Sequence, residues 1–192
     1  MMANDFPFID FSQHAEKVAR ELIGTTFLVD GVGGIIIETE AYDMADPASH
    51  SYAGPTPRNE VMFGEPAHIY VYRSYGIHWC VNFTCRKPGH GAAVLIRALL
   101  PTHGIDTMTT RRKTGNVRLL CAGPGRLCQA LSITRDLNGT PLNASRLSLL
   151  PAPHPVEVVT GPRIGISKAV DIPWRFGLAN SPYLSRPFKK PA

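Results

Sequence analysis

The sequence has 192 residues, of which 44% are hydrophobic and 18% are charged, a composition typical of one globular domain. No apolar run approaches the ~18 residues that a membrane-spanning helix needs, and residues 1–10 lack the basic and apolar regions of a signal peptide. Twenty Lys and Arg against 15 Asp and Glu give a net charge of +5, which suits a polyanionic partner. We therefore expect an intracellular protein with no membrane partner, formed by a single domain over residues 1–192 with an ordered core at about residues 10–186.

The first predicted element is a helix over residues 10–24. Its apolar residues recur at the spacing of one buried stripe along a helix. Asp10 and Gln13 suit a capping box at its start, and Gly24 suits the position just beyond its end.

Strands are predicted next, from runs of alternating or continuous apolar residues bounded by turn signals. Two hairpins and one further strand result. The predicted strands are residues 26–29 and 35–40 joined by a turn at 30–34, residues 68–72 and 77–84 joined at 73–76, and residues 92–99.

The remaining segments are rich in turns. Residues 43–58 form a long polar loop, and a loop of that length is typical of a functional segment or a disordered one. The glycines and Pro124 of residues 122–125 predict the start of a helix. Short strand-like runs follow at residues 156–159 and 163–166. The whole pattern predicts an α+β domain with a mostly antiparallel sheet and flanking helices.

Four cysteines, Cys80, Cys85, Cys121 and Cys128, lack the C-x-x-C spacing that is typical of zinc and redox sites. Two of them lie within apolar strand or helix patterns, where free cysteine is commonly buried. We predict reduced, partly buried thiols, with no disulfide and no bound metal.

Two carboxylates and one arginine are the first candidates for chemistry. Glu38 and Glu40 are two apart on a predicted strand and therefore project to the same side of it. Arg97 interrupts an apolar strand, where a guanidinium needs an anionic partner, and either carboxylate would satisfy it. Such a cluster beside a loop could activate water, although solvated carboxylates or a core ion pair without a catalytic role remain alternatives.

The tyrosines form a second group. Tyr42 follows the carboxylates, and Tyr70 and Tyr72 share a strand face, where tyrosine is commonly a packing residue. Tyr75 lies at the tip of a hairpin, where a large ring is exposed and suits stacking on bases or insertion between them.

Possible anion contacts are more scattered. Thr56 and Arg58 in the long loop supply polar donors, and Gly125 and Arg126 at the predicted helix start could hold phosphate. His50 lies in the same long loop, and by itself it is typical of a surface histidine.

Taken together, these residues resemble the alkyladenine DNA glycosylase family, also described as 3-methyladenine or methylpurine DNA glycosylases. The most specific blocks are E-T-E-A-Y at residues 38–42 and Y-V-Y-x-x-Y-G at residues 70–76, in this order. The likeness extends from about Ala19 to Ser185, and the further matching stretches are residues 49–51, 56–59, 94–99, 123–131 and 163–166.

The resemblance implies a role for each matching residue. Glu40 corresponds to the general base that activates water, and Arg97 to the neighbour that helps to hold that water. Tyr42 and Tyr72 correspond to the two faces that stack on a flipped base, with His50 as a third wall.

Three further roles follow from the same resemblance. Tyr75 corresponds to the wedge that enters the minor groove, with Ile77 beside it where animal members carry Met. Asn82 corresponds to the group that screens out guanines with a 2-amino group. The family's fold is a single mixed domain with a curved antiparallel sheet.

The resemblance thus implies a monofunctional, monomeric DNA glycosylase that excises damaged purines such as 3-methyladenine, 7-methylguanine, hypoxanthine and ethenoadenine from double-stranded DNA, with no cofactor and no metal. In a bacterium it would be cytoplasmic and associated with the nucleoid. Two alternatives remain: a non-catalytic module that binds damaged DNA, and a metal-dependent nuclease built on Glu38, Glu40 and His50.

Overall fold

A computed structural model describes residues 6–188, and this part of the chain is built on one antiparallel sheet of eight strands. This confirms the predicted α+β fold with a mostly antiparallel sheet. The strands are β1 (Thr26–Val29), β2 (Val32–Asp43), β3 (Ile69–Ser74), β4 (His78–Thr84), β5 (Ala92–His103), β6 (Leu147–Leu150), β7 (Val158–Gly161) and β8 (Arg175–Leu178). The helices are α1 (Ala15–Glu21), α2 (Ile105–Arg112), α3 (Val117–Leu120) and α4 (Pro124–Leu131), with short 3-10 helices at Glu60–Phe63 and Arg135–Leu137.

Strand β2 is the centre of the sheet. It pairs with β5 from Gly33 to Asp43, and its other edge is shared by β1 at residues 32–35 and by β8 at residues 38–40. The sheet continues from β5 through β4 to β3, and on the other side from β1 to β6, while β7 pairs with β8. Within the described residues no helix is long and apolar enough to cross a membrane.

The two faces of β2 lie in different environments. Thr39 faces helix α1, where its hydroxyl donates to the carbonyl of Ala19 at 2.8 Å, and the neighbouring apolar side chains join the main hydrophobic core. Glu38 and Glu40 face the opposite side, because successive residues of a strand alternate. The central strand therefore has an apolar core on one side and carboxylates on the other.

The predicted start of the first helix is wrong. The helix begins at Ala15 with His14 as its N-cap, rather than at Asp10. The Asp10 carboxylate accepts from the backbone and hydroxyl of Ser12 and from the side chain of Gln13, so it closes a separate turn before the helix. The helix ends at Glu21. Gly24 lies beyond it, and its backbone N–H donates to the carbonyl of Ile36 in β2.

Both predicted hairpins exist, but β2 and β3 extend further towards the turns than expected, so both turns are shorter. The first turn contains only Asp30 and Gly31, whose φ angles of +50° and +78° suit the tight turn that matches the twist of the strands. At the second, β3 continues to Ser74, and Tyr75 and Gly76 at the tip have φ angles of +50° and +67°.

The C-terminal third departs most from the prediction. Residues 163–166 are not a strand, because Arg163 turns inward and is bonded to a distant part of the chain instead of to a neighbouring strand. Strand β7 begins two residues later than the predicted run, and α2, α3, β6 and β8 were not predicted. The helix that begins at Pro124 is confirmed, with Pro at its first position. All four cysteines are buried and free.

Gly34, in β2, provides a test of the close approach between β2 and β5. A Cβ at this position would lie 1.9 Å from the carbonyl oxygen of Leu100 in β5. We expect Gly34→Ala to lower the free energy of unfolding by about 1–3 kcal/mol, as overpacking does, measured by urea titration. Gly115→Ala is the matched control, because nothing lies within 4 Å of its Cβ position. Equal midpoints for the two variants would contradict the close approach of β2 and β5.

Candidate active site

A cavity of about 800 Å³ opens on the carboxylate side of β2. Its volume lies in the range typical of small-molecule binding sites. Among the residues to which the sequence analysis gave a catalytic or binding role, eight line this cavity: Tyr42, His50, Arg58, Tyr72, Tyr75, Asn82, Arg97 and Gly125. Residues that are distant in sequence are thus brought to one place by strands β2, β3, β4 and β5 and by the start of α4.

Glu40 lies behind the floor of the cavity and has no exposed surface. Its Oε2 accepts from the Tyr42 hydroxyl at 2.8 Å and from Arg97 at 3.4 Å, and its Oε1 accepts from the backbone N–H of Ile164 at 2.7 Å. Tyr42, Arg97 and Ile164 all line the cavity. A carboxylate has about four acceptor positions, so one remains for a further donor.

Glu38 is satisfied by protein groups alone. Arg97 and Arg175 donate to its Oε1 at 3.2 and 2.7 Å, and Ser185 donates through its backbone and hydroxyl at 2.6 and 2.8 Å. The expectation that Arg97 pairs with a carboxylate is confirmed, and the guanidinium bonds both Glu38 and Glu40. Glu38 is therefore a partner of the arginines, whereas Glu40 retains capacity for a further bond.

Burial decides the electrostatics of this cluster. Complete burial raises the pKa of Glu40 above its usual value, although Arg97, the Ile164 N–H and the Tyr42 hydroxyl act in the opposite direction. Burial and the adjacent Glu40 raise the pKa of Tyr42 far above its usual value, so this hydroxyl stays protonated and donates. Burial alone would lower the pKa of Arg97, but Glu40 and Glu38 outweigh it, and the net pKa is raised.

Aromatic rings form the walls of the cavity. The ring of His50 stands edge-on to that of Tyr72, with centroids 4.5 Å apart, and its Nδ1 lies 3.3 Å from the Tyr70 hydroxyl. Burial of the ring and the nearby Arg58 lower the pKa of His50, which favours the neutral imidazole. Burial raises the pKa of Tyr70 to about 12.

The loop that carries His50 is held by its own side chains. Asn59 donates to the carbonyls of His50 and Gly54 and accepts from both the N–H and the hydroxyl of Thr56. Arg58 donates to the carbonyl of Arg73 at 3.0 Å. Thr56 is therefore engaged inside the loop, and does not line the cavity.

The hairpin tip is the most exposed apolar feature near the cavity. Tyr75 is 89% exposed and Ile77 is 67% exposed, although both are large and apolar. Tyr75 lines the cavity, whereas Ile77 lines a smaller depression between the start of β4 and helix α4. Exposed apolar side chains at one point are typical of an interaction surface.

Two predicted contacts lie at the start of α4. Gly125 packs against His78 so closely that a Cβ there would lie 2.9 Å from that side chain. Arg126 is exposed, and it donates to the carbonyl of Ala122 at 3.4 Å. Gly125 reaches the cavity, and Arg126 lies outside it.

The nuclease hypothesis is wrong in its choice of ligands. Within residues 6–188 no group of three or more His, Cys, Asp or Glu side chains is placed to hold a metal ion. Arg97 donates to both Glu38 and Glu40, and His50 faces the tyrosines.

Several contributors to the site were not predicted. The N–H of Ile164 and the Ser185 contacts come from segments without regular structure, and a backbone donor carries no sequence signal. Arg163 and Arg175 could have been noticed, because each is a charged residue beside apolar ones in a short run. Both are buried, and they reach Asp46 and Glu38 respectively.

Comparison with known proteins identifies the family of this chain. The family model for methylpurine-DNA glycosylase matches residues 9–182. The chain is 62% identical to a protein of Nitrosospira multiformis, over 99% of this chain and 98% of that one. It is 59% identical to one of Nitrobacter winogradskyi, over 93% and 86% of the respective chains, and 57% identical to one of Bradyrhizobium diazoefficiens, over 94% and 90%. All three carry the provisional name 3-methyladenine DNA glycosylase.

These matches place the protein among the hydrolases that cleave N-glycosyl bonds in DNA during repair. Within that class, the chain belongs to the methylpurine-DNA glycosylase family.

Arg97→Met tests the electrostatics of the cluster. We expect it to destabilise the fold by about 3–5 kcal/mol at pH 8, because it leaves the buried Glu40 without a charged partner and removes one of the two arginines that bond Glu38. The loss should be smaller at pH 5. Without Arg97 the pKa of Glu40 rises further, so the native state retains a proton that the unfolded chain releases as the pH increases.

Urea titration of both proteins at the two pH values gives this comparison. Arg146→Met is the control, because Arg146 forms an exposed ion pair with Asp30, and its midpoint should stay near that of the wild type. An equal loss in the free energy of unfolding at pH 5 and pH 8 would contradict the raised pKa of Glu40 in the variant.

Proposed function

We propose that this protein is a monofunctional DNA glycosylase that flips a damaged purine out of the duplex and hydrolyses its N-glycosidic bond with water activated by Glu40. The observation that carries the proposal is the position of Glu40, fully buried behind an aromatic cavity and with capacity for one further donor. In this assignment that donor is the attacking water, which Arg97 also helps to hold.

The flipped base would stack between Tyr42 and Tyr72, with His50 closing a third side. Arg163 covers one face of the Tyr42 ring at 4.8 Å from its centroid, so a base can use only the opposite face. Stacking of a base on an aromatic ring contributes about 1–3 kcal/mol, which offsets part of the cost of extrusion.

Tyr75 would fill the space that the flipped base leaves. Its ring is almost fully exposed at the end of a two-strand hairpin, so it can enter the minor groove without rearrangement of the core. Ile77 beside it would provide an apolar contact with the separated bases.

Cleavage develops positive charge on the sugar, and an ionised Glu40 would stabilise this charge and accept a proton from water. Purines alkylated at N3 or N7 are cationic and leave without a general acid, whereas hypoxanthine and ethenoadenine would require protonation. Asn82 donates to the carbonyl of Tyr70 at 3.1 Å, and a side chain held in this way suits the exclusion of a 2-amino group.

None of the residues lining the cavity is a lysine, so the part of the chain that is described offers no amine there for a Schiff base. We therefore propose hydrolysis without strand cleavage, by a monomer that needs no metal and acts in the cytoplasm on the nucleoid. A covalent adduct with DNA trapped by borohydride would contradict this mechanism.

The second candidate is a module that binds damaged DNA without chemistry. It would use the same net positive charge, the same tyrosines and the same hairpin tip. It gives no reason for a fully buried carboxylate with three donors behind the cavity, and burial of such a group is costly.

Glu40→Gln separates the two candidates. Duplex oligonucleotides with one hypoxanthine or ethenoadenine, and methylated DNA, are incubated in EDTA, and abasic sites are revealed by alkali. We expect the variant to release bases about 10²–10⁴-fold more slowly than the wild type, while still binding damaged DNA. Glu157→Gln, at an exposed position, is the matched control and should behave as the wild type. Unaltered release by Glu40→Gln would remove Glu40 from the chemistry, and binding without release by the wild type would favour the second candidate.

Tyr75→Ala tests the wedge. The exposed ring contributes little to folding, so thermal stability should stay near that of the wild type. Binding of lesion-containing duplex should weaken by about 1–3 kcal/mol, the range of a base–aromatic contact, measured by fluorescence anisotropy. Tyr52→Ala is the control, because Tyr52 is also an exposed tyrosine but does not line the cavity. Equal affinities for the two variants would refute the role of the hairpin tip.

A further inference from the structure

Behind the wall of the cavity lies a second buried ion pair, between Arg163 and Asp46. Both side chains are completely buried. Arg163 bonds both carboxylate oxygens of Asp46, and it also donates to the carbonyl of Ala41 at 3.0 Å and to that of Ala169 at 3.4 Å. The pair therefore joins two segments that are far apart in sequence, residues 41–46 and residues 163–169.

Arg163 touches the site on two sides. Its guanidinium lies 4.8 Å from the centroid of the Tyr42 ring and bonds the carbonyl of Ala41, the residue between Glu40 and Tyr42. The next residue, Ile164, donates its backbone N–H to Oε1 of Glu40 at 2.7 Å. A displacement of Arg163 would therefore move a wall of the cavity and a donor to the proposed general base together.

Asp46 is connected to the site through the turn that precedes His50. Its carboxylate accepts from the N–H of Ala48 at 3.0 Å, and its carbonyl accepts from the N–H of Ser49 at 2.9 Å. These bonds fix the turn that leads directly to His50. The same ion pair thus controls the loop of His50 and the surroundings of Glu40.

Stability is a weak reason for such a pair. A buried ion pair is often no more stabilising than apolar residues of the same volume, because both charges lose their hydration. What distinguishes Arg163 is its position against the Tyr42 ring and directly before Ile164, which donates to Glu40. These contacts with the site favour a functional reason for the arginine.

We infer that Arg163 and Asp46 are a positioning pair that holds the Tyr42 wall, the His50 loop and the Ile164 donor in register around Glu40. This inference rests on the proposed function. Neither residue touches the substrate, so both act through the groups that they hold.

The principal test is Arg163→Lys, which keeps the charge but loses the planar fork that reaches Asp46 and two carbonyls at once. Single-turnover base release is measured over a range of pH, and the rate constant is referred to the fraction of protein that is active. We expect this rate constant to fall about tenfold or more through misplacement of the reacting groups, with the affinity for abasic-site DNA close to that of the wild type.

The acid limb of the pH–rate profile should also move to higher pH. Loss of the Ile164 contact removes one interaction that favours the charged Glu40, whose other neighbours are Arg97, Tyr42 and Glu38. Asp46→Asn, which keeps the shape of the side chain, should shift the limb in the same direction and serves if Arg163→Lys folds poorly.

Val29→Ala is the control for simple destabilisation, because Val29 is buried in β1 and does not line the cavity. It should reduce the folded fraction, but the protein that remains folded should keep the wild-type rate constant and acid limb. If Arg163→Lys and Asp46→Asn leave the limb at its wild-type position, the pair is structural and the inference is overturned. Failure of the proposed function would be distinct, since the wild type itself would release no base.

Discussion

The burial of two carboxylates on one side of the central strand is the constraint on which the rest of the site depends. An unpaired buried charge is so costly that the surrounding chain must supply opposite charges and hydrogen bonds. Arg97 comes from β5 on one edge of β2 and Arg175 from β8 on the other, so Glu38 is held from both sides. Glu40 depends in turn on Arg97, because the guanidinium that Glu38 orients is also its own charged partner.

The position of Arg97 between the carboxylates results from an irregular register of β2 and β5. Glu40 is opposite Leu95, and a regular ladder would place Arg97 opposite Glu38. Instead Glu38 is opposite Ala98, because Ile37 on β2 and Arg97 on β5 are both extra residues. Such bulges redirect a side chain, and here the guanidinium reaches Glu38 through Nε and Glu40 through Nη1.

Two kinds of feature could be predicted from the sequence: elements that follow a local pattern, and pairings that the cost of burying a charge requires. Alternation located β4, and an arginine in an apolar strand was enough to predict its pairing with a carboxylate. Contacts between distant segments could not be predicted: Arg163 looked like part of a strand, but its partner Asp46 is 117 residues away. Similarly, Asp10 resembled a helix cap until its bonds to the following turn were visible. The roles of His50 and Asn82 came from family resemblance, since neither has a distinctive local signal.

The site combines two opposite departures from ordinary packing. Charged groups are buried beneath the cavity, whereas the large apolar side chains of Tyr75 and Ile77 are exposed at its mouth. Each departure is unfavourable in the free protein, but the buried groups are compensated within the fold and the exposed ones are not. Under the proposed function, DNA supplies the missing contacts at the hairpin tip. The tip can then adapt to the duplex while the carboxylate cluster stays fixed, because only the cluster is anchored by strands on both edges of β2.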